Sequence, residues 1–345
     1  MPPAEAAKSN APGLVGRLAE AARERPDTVA LRYKSRGAWL VLTWRDVVRE
    51  TDRFASFLRA HGIGPASAIA LAGEIRPSML FSALAAHALG AEFVSVAPDA
   101  TANQIRAVLD RNPIGLALMH GRRTLAAWLQ VVEAHRRVVI VFDHVTPAGK
   151  TPEDAVIPLT AVTTASPAHG WADRLDASTR PSQRGAALWA EASTAWPEAL
   201  DVLIDVWLNS GNSLAVPELL AAAARDRAEI VPHRWIASAE AAAVASADIA
   251  SRLPSAYSLT GPVFLRSPAL RRLFLALTRR RLGLSRLRAI EVDPDWRTSA
   301  TRSAAETLFQ SVGIALRAPA NDVAEDGATQ PAGSFRAHFA VAGGD

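Results

Sequence analysis

Seven arginines crowd into one stretch of this chain: Arg271, Arg272, Arg279, Arg280, Arg281, Arg286 and Arg288. Guanidinium groups stay charged at any pH and grip phosphate or carboxylate through paired N–H donors. A cluster of this kind suits an acidic lipid, the phosphates of a coenzyme, or a nucleic acid. Leu270, Leu273, Phe274, Leu277 and Leu282 recur beside it at helical spacing. That pattern predicts an amphipathic helix with the leucines in a core and the arginines on a solvated face.

Other reactive residue types lack the spacing that chemistry requires. His61, His87, His120, His135, His144, His169, His233 and His338 show no H-x-x-x-H or H-E-x-x-H arrangement, so no metal site is expected. With no cysteine there is no thiolate nucleophile, no disulfide and no cysteine-ligated metal. Ser210, Gly211, Asn212 and Ser213 compose a turn, and no Gly-x-Ser-x-Gly elbow presents a serine nucleophile. Trp44, Trp128, Trp189, Trp196, Trp207 and Trp235 are spaced as core or loop anchors, with Trp196 and Trp207 the two that an apolar pocket would use.

The elements that would position these residues follow from periodicity. At 345 residues and 49% hydrophobic, the chain can bury a large core. The 38 basic residues are nearly matched by 34 acidic ones, so a net charge of +4 does not mark a nucleic-acid-binding protein. The longest apolar run, from Phe81 to Pro98, is broken by His87, Gly90 and Glu92, so no transmembrane segment is expected. The first residues lack the pattern of a secretory signal, and a cytoplasmic location follows by default.

Residues 1–12, rich in Ala and Pro, are expected to be disordered. A first α/β lobe is predicted over 13–143. It opens with an amphipathic helix, then a hairpin of Val29–Tyr33 and Trp39–Thr43, and a helix capped by Thr43 and Asp46 that ends at Gly62. Next come strands at Ala68–Ala72, Phe93–Val96, Ile114–Leu118 and Val138–Phe142, alternating with helices at Pro77–Leu89, Thr101–Asp110 and Arg123–Glu133. Short apolar strands alternating with helices predict a mainly parallel sheet with helices on both faces. Residues 144–184 lose periodicity and are expected to form a linker.

A second α/β lobe is predicted over 185–317, and 318–345 as a disordered tail. Strands are expected at Ala186–Ala190, Leu214–Val216, Glu229–Val231, Leu287–Val292 and Ile314–Leu316. The matching helices are Glu198–Leu208, Pro217–Asp226, Ala237–Arg252, Pro268–Leu282 and Ala300–Val312.

Residues 17–119 resemble the opening of the adenylate-forming (AMP-binding) superfamily, which includes acyl-CoA synthetases, luciferases and peptide-synthetase adenylation domains. The resemblance is carried by Arg25-Pro26-Asp27-Thr28-Val29-Ala30-Leu31, Leu42-Thr43-Trp44-Arg45-Asp46 and Gly62-Ile63-Gly64-Pro65. Gly90-Ala91-Glu92-Phe93-Val94 before Pro98 completes it. Ile230-Val231-Pro232-His233-Arg234-Trp235 and Leu282-Gly283-Leu284-Ser285-Arg286-Leu287-Arg288 are similar to the long-chain fatty acyl-CoA synthetase branch. The resemblance implies the two-lobed N-terminal domain of that superfamily, with ATP, magnesium and coenzyme A as the family's cofactors.

Adenylation requires backbone N–H groups and cations around pyrophosphate. The family supplies them with a loop of the form Y-T-S-G-T-T-G-x-P-K-G. The matching run here is Trp189-Ala190-Glu191-Ala192-Ser193-Thr194-Ala195-Trp196-Pro197-Glu198-Ala199. Ala192, Ala195 and Ala199 stand where the family has glycine, Glu198 where it has lysine, and Glu191 where it has a hydroxyl. The resemblance therefore implies a degenerate nucleotide loop with two carboxylates facing the phosphate position. Glu291-Val292-Asp293-Pro294-Asp295 stands at the adenine loop, and Ala318-Pro319-Ala320-Asn321-Asp322 at the segment whose Glu helps hold magnesium. The family's ribose-binding Asp, hinge and C-terminal domain fall past this sequence. The expectation is a truncated, catalytically inactive homologue with no cofactor of its own. Its role would be binding or regulatory, with a homodimer, an active acyl-CoA synthetase or an acyl ligand as partner. The alternative is a residual acyl-CoA synthetase-type enzyme that binds nucleotide or acyl chain in an altered site.

Overall fold

A computed structural model describes residues 13–132, 138–143, 156–164, 186–252, 268–293, 296 and 300–317. Its helices are α1 (Leu14–Glu24), α2 (Trp44–Ala60), α3 (Pro77–Ala88), α4 (Ala102–Arg111), α5 (Arg122–Val132), α6 (Leu159–Thr164), α7 (Ala199–Ser210), α8 (Ala223–Ile230), α9 (Ala239–Arg252), α10 (Pro268–Arg281) and α11 (Ala300–Ser311). Its strands are β1 (Val29–Ser35), β2 (Ala38–Thr43), β3 (Ala68–Ala72), β4 (Glu92–Val96), β5 (Ile114–His120), β6 (Val139–Asp143), β7 (Val156–Pro158), β8 (Ala187–Glu191), β9 (Ser213–Val216), β10 (Arg234–Ala237), β11 (Ala289–Val292) and β12 (Ala315–Arg317). The expected disordered segments, 1–12 and 318–345, lie outside the described residues.

Two sheets organise these elements, one of order β4-β3-β5-β6-β7 and one of order β12-β11-β10-β8-β9-β1-β2. Every neighbouring pair is parallel except β1 with β2. This is the α/β fold expected from the alternation of short apolar strands and helices. Side chains along a strand point to opposite faces in turn. Ile69, Leu71, Leu116 and Leu118 of the first sheet, and Leu188, Ala190, Leu214 and Val216 of the second, share one core with α1, α2, α3 and α7. Their sequence neighbours face outward: Ala70, Ala117 and Met119 onto α4 and α5, and Trp189, Ala215 and Trp235 onto the side of α9 and α11. The central helices thus lie between the sheets, which explains why α3 is buried almost all round.

The division at residue 143 is not followed by the strands. The hairpin β1–β2, expected in the first lobe, is the edge of the second sheet, where Leu31, Arg32 and Tyr33 pair in parallel with Leu214, Ala215 and Val216. Partner choice between distant strands leaves no local trace, so periodicity could not assign it. The capping box is as expected: Thr43 Oγ1 accepts from Asp46 N–H, and the Asp46 carboxylate accepts from Thr43 N–H.

Within the expected linker 144–184, β7 extends the first sheet and α6 packs against α2. A three-residue edge strand ending in proline is too short for periodicity to reveal. The expected helix 217–226 and strand 229–231 are displaced toward the C-terminus. A 3₁₀ turn at Leu220–Ala222 precedes α8, whose C-cap Val231 has φ +53°, and the next strand is β10. Pro232 follows that left-handed residue and has no N–H to give a ladder, so pairing starts at Arg234.

The leucine face of α10 is also rotated from expectation. Leu270, Leu273 and Leu277 are exposed, at 46%, 58% and 49%, while Thr278 and Leu282 are buried. Two apolar stripes compete on this helix, and the one containing Leu275, Thr278 and Leu282 takes the core.

Candidate functional site

The run 191–199 lies at the carboxyl end of β8 and leads into α7, in a strand–loop–helix arrangement where open α/β sheets hold phosphates. The glycine-poor sequence folds it into a closed stitch against the turn after β3. Ser193 bridges Glu74 in antiparallel fashion, Ile75 N–H donates to Ala192 O at 3.2 Å, and Thr194 N–H donates to Gly73 O at 2.9 Å. The Thr194 hydroxyl is buried. It accepts from Gly73 N–H at 2.8 Å and donates to Val96 O at 2.6 Å. Ala195 N–H turns back to Ser193 Oγ at 3.3 Å and Trp196 N–H to Ser193 O at 3.2 Å. The N–H groups of Thr194, Ala195 and Trp196, which an anion would need, are therefore engaged within the protein.

Gly73 makes the stitch sterically feasible. Its φ is +136°, and a Cβ there would lie 2.6 Å from His120 O.

The two carboxylates expected to face the phosphate position are separated. Glu191 is turned inward and buried, and pairs with Arg227 Nη1 at 2.6 Å while Trp189 Nε1–H donates to it at 2.9 Å. Its outward placement is thus corrected: β8 alternation sends the 191 side chain toward α8, where a buried guanidinium awaits it. Burial pushes the Glu191 carboxyl above the usual carboxylate range, against the opposing pull of Arg227. Arg227, 1% exposed, also donates from Nε to Leu282 O at 3.3 Å and lies 4.0 Å from the centroid of Trp235.

Glu198 does stay at the mouth, as the N-cap of α7, with no side-chain capping bond. Asp201 in the first turn is raised to about 6 by burial, then by Glu198 and Asp205. Glu198 and Asp201 thus put two carboxylates in the first turn of this helix, while Asp205 one turn on is paired with Arg17 at 2.7 Å.

Glu291, Val292 and Asp293 reach the same edge of the sheet. Ala237, at the end of β10, is in register with Glu191 on one side and Val292 on the other. Glu291 is buried and pairs with Arg234 on β10. Pro294, Asp295 and 318–322 lie outside the described residues. Trp196 and Trp207 are buried in the core; Trp207 stacks on Trp44 with centroids 5.4 Å apart and donates to Ala30 O.

The residues that sequence reasoning missed are the partners Arg227, Gly73 and Val96. An arginine within Ala224-Arg225-Asp226-Arg227 reads as one more solvated charge, and nothing local distinguishes Arg227 from the neighbour at 225. Among the described residues no cluster of His, Asp and Glu has metal-binding geometry, and no helix is long and apolar enough to cross a membrane.

Residues 18–180 match the AMP-binding enzyme family. Malformin synthetase of Aspergillus tubingensis is 36% identical over 90 residues, covering 26% of this chain and 2% of that protein. Tyrocidine synthase 2 of Brevibacillus parabrevis is 30% identical over 157 residues, covering 43% of this chain and 4% of its own length. Among solved structures, the A-PCP didomain of carboxylic acid reductase from Segniliparus rugosus superposes with TM-score 0.63 at 13% identity. The match covers 88% of this chain and 51% of that one. Acetoacetyl-CoA synthetase from Streptomyces lividans gives TM-score 0.57 at 15% identity, covering 88% and 50%. The chain thus spans a few per cent of these curated relatives and about half of these structures.

Proposed function

We propose that this chain, whose residues 18–180 match the AMP-binding enzyme family and whose fold is like that of the solved adenylation and CoA-ligase structures, is a synthetase/ligase-like protein that does not adenylate a carboxylate and serves instead as a binding partner. The observation that carries this reading is the closed loop after β8. Its N–H groups at 194–196 are bonded internally, its buried hydroxyl at Thr194 is fully used, and Glu198 with Asp201 puts negative charge where pyrophosphate would develop. An anion brought to this helix end meets repulsion in place of the donors and cations that stabilise a phosphoryl transition state.

An acyl rather than aminoacyl ancestry belongs to the same proposal and rests on the resemblance of 230–235 and 282–288 to the long-chain branch. A partner role is supported by α10, which leaves Leu270, Leu273 and Leu277 at the surface. A homodimer or an active synthetase would cover such a stripe.

The test is pyrophosphate release from magnesium–ATP with a panel of fatty, aryl and amino acids. No release above the blank is expected. Steady turnover with any acid would overturn the reading, since it would require the 191–199 loop to open into a competent cradle. Light scattering on the purified protein tests the partner role; a strict monomer that co-purifies with no synthetase and no acyl chain counts against it.

A further inference from the structure

The parallel strands of the seven-stranded sheet have two ends, and the loop just described takes the carboxyl ends. At the amino ends of β10, β11 and β12 lies a separate open cleft of about 660 Å³, lined by His233, Arg279, Ser285, Arg286, Arg288 and Gly313. Among the described residues no carboxylate lines it, and the sequence contains no Asp or Glu from residue 249 to residue 290.

Three features make this cleft a built one. The Arg279 guanidinium is fixed by the backbone, donating from Nε to Leu284 O at 3.2 Å and from Nη2 to Leu287 O at 2.5 Å. It therefore fastens the loop that carries the other two arginines. Leu287 is buried in the core, and Arg286 and Arg288 on either side of it emerge to the surface, their guanidinium groups making no ion pair or hydrogen bond among the described residues. The opposite wall is bare backbone: Gly313 has φ +72°, and a Cβ there would lie 3.6 Å from Arg279 Nη1.

Three guanidiniums beside an imidazole at one concavity repel each other, and a multiply charged anion seated among them converts that repulsion into attraction. His233 already feels the field: burial and the Arg286 charge hold its imidazole below the ordinary range. Guanidinium forks are matched to phosphate oxygens, and two unpaired ones beside a third, pre-fixed one lose little freedom on binding.

We propose that this cleft is an anion site that takes a phosphate group, either of a soluble phosphorylated molecule or of a phospholipid headgroup. It is remote from the loop after β8, so its occupancy is independent of whether that loop binds nucleotide.

The experiment compares the full chain, the double variant Arg286→Ala/Arg288→Ala, and the control Arg59→Ala/Arg106→Ala. The control removes the same charge from exposed sites on α2 and α4. Inorganic pyrophosphate is titrated calorimetrically, and phosphatidylcholine vesicles containing phosphatidic acid are co-sedimented with each protein. Pyrophosphate binding that weakens about tenfold or more in the first variant, and by about twofold or less in the control, supports a soluble phosphate ligand. Absent pyrophosphate binding together with vesicle binding lost only in the first variant supports a lipid headgroup. Failure of the unmodified chain to bind either probe, or equal loss in both variants, overturns the proposal.

Discussion

Replacing Arg227 with Met should destabilise the protein severely and in a pH-dependent way. Met preserves most of the volume, so little cavity forms. What is lost is the counter-charge to Glu191, together with the donor to Leu282 O. With Arg227 at 1% exposure and Glu191 at 6%, solvent cannot replace the guanidinium. Removing one partner of such a pair costs about 3–5 kcal/mol. Glu191 limits the damage by taking up a proton, and holding it protonated costs about 1.4 kcal/mol for each pH unit above the ordinary carboxylate value. At about pH 7 the expected loss is therefore about 3–4 kcal/mol, and at about pH 5 about 1–2 kcal/mol.

The sign follows from linkage. A carboxyl whose folded pKa is raised favours the folded state below its unfolded value, and that advantage is lost as pH rises toward the folded value. Urea unfolding followed by tryptophan fluorescence at the two pH values measures both numbers, with Trp189 and Trp235 adjacent to the pair. Adding Glu191→Leu to Arg227→Met should recover most of the loss, giving a coupling of about 2 kcal/mol or more. A single-variant loss below about 1 kcal/mol, or one equal at both pH values, would show that Glu191 is not held as a buried anion.

Thr194→Val keeps the shape of the side chain but leaves Gly73 N–H without its acceptor; a loss of about 1–3 kcal/mol in equilibrium unfolding is expected. Asp201→Asn should raise stability by about 1–2 kcal/mol at about pH 8, because the raised aspartate weakens the fold as it ionises between its ordinary value and about 6. The gain should vanish at about pH 4, and a gain independent of pH would assign it to something other than charge. The quadruple variant Ala192→Gly/Ala195→Gly/Glu198→Lys/Ala199→Gly should still release no pyrophosphate, since the stitch to Gly73 and Val96 remains and groups acting as a unit do not recover singly. Turnover by this variant would place the deficit in those four residues alone.

The sequence alone determined the class of the fold and most of its elements. Alternating apolar strands and amphipathic helices have local periodicities that survive in one dimension, and so does the reciprocal capping of Thr43 and Asp46. The place of residues 191–199 between a strand and a helix was also legible, because an apolar strand pattern ends there and a helical one begins. Three things were decided only in three dimensions. The hairpin at 29–43 joined the second sheet because Leu31 to Tyr33 found β9 as a partner at Leu214 to Val216, about half the chain away. Glu191 turned away from the loop it was expected to charge, because the strand's pleat points it at Arg227. Arg286 and Arg288 came to line one cleft with His233 and Gly313, which precede other strands of the sheet. Local pattern carries the energetics of neighbours along the chain; which charge meets which, and across what space, is set by the packing of elements whose pairing leaves no mark on the sequence of either one.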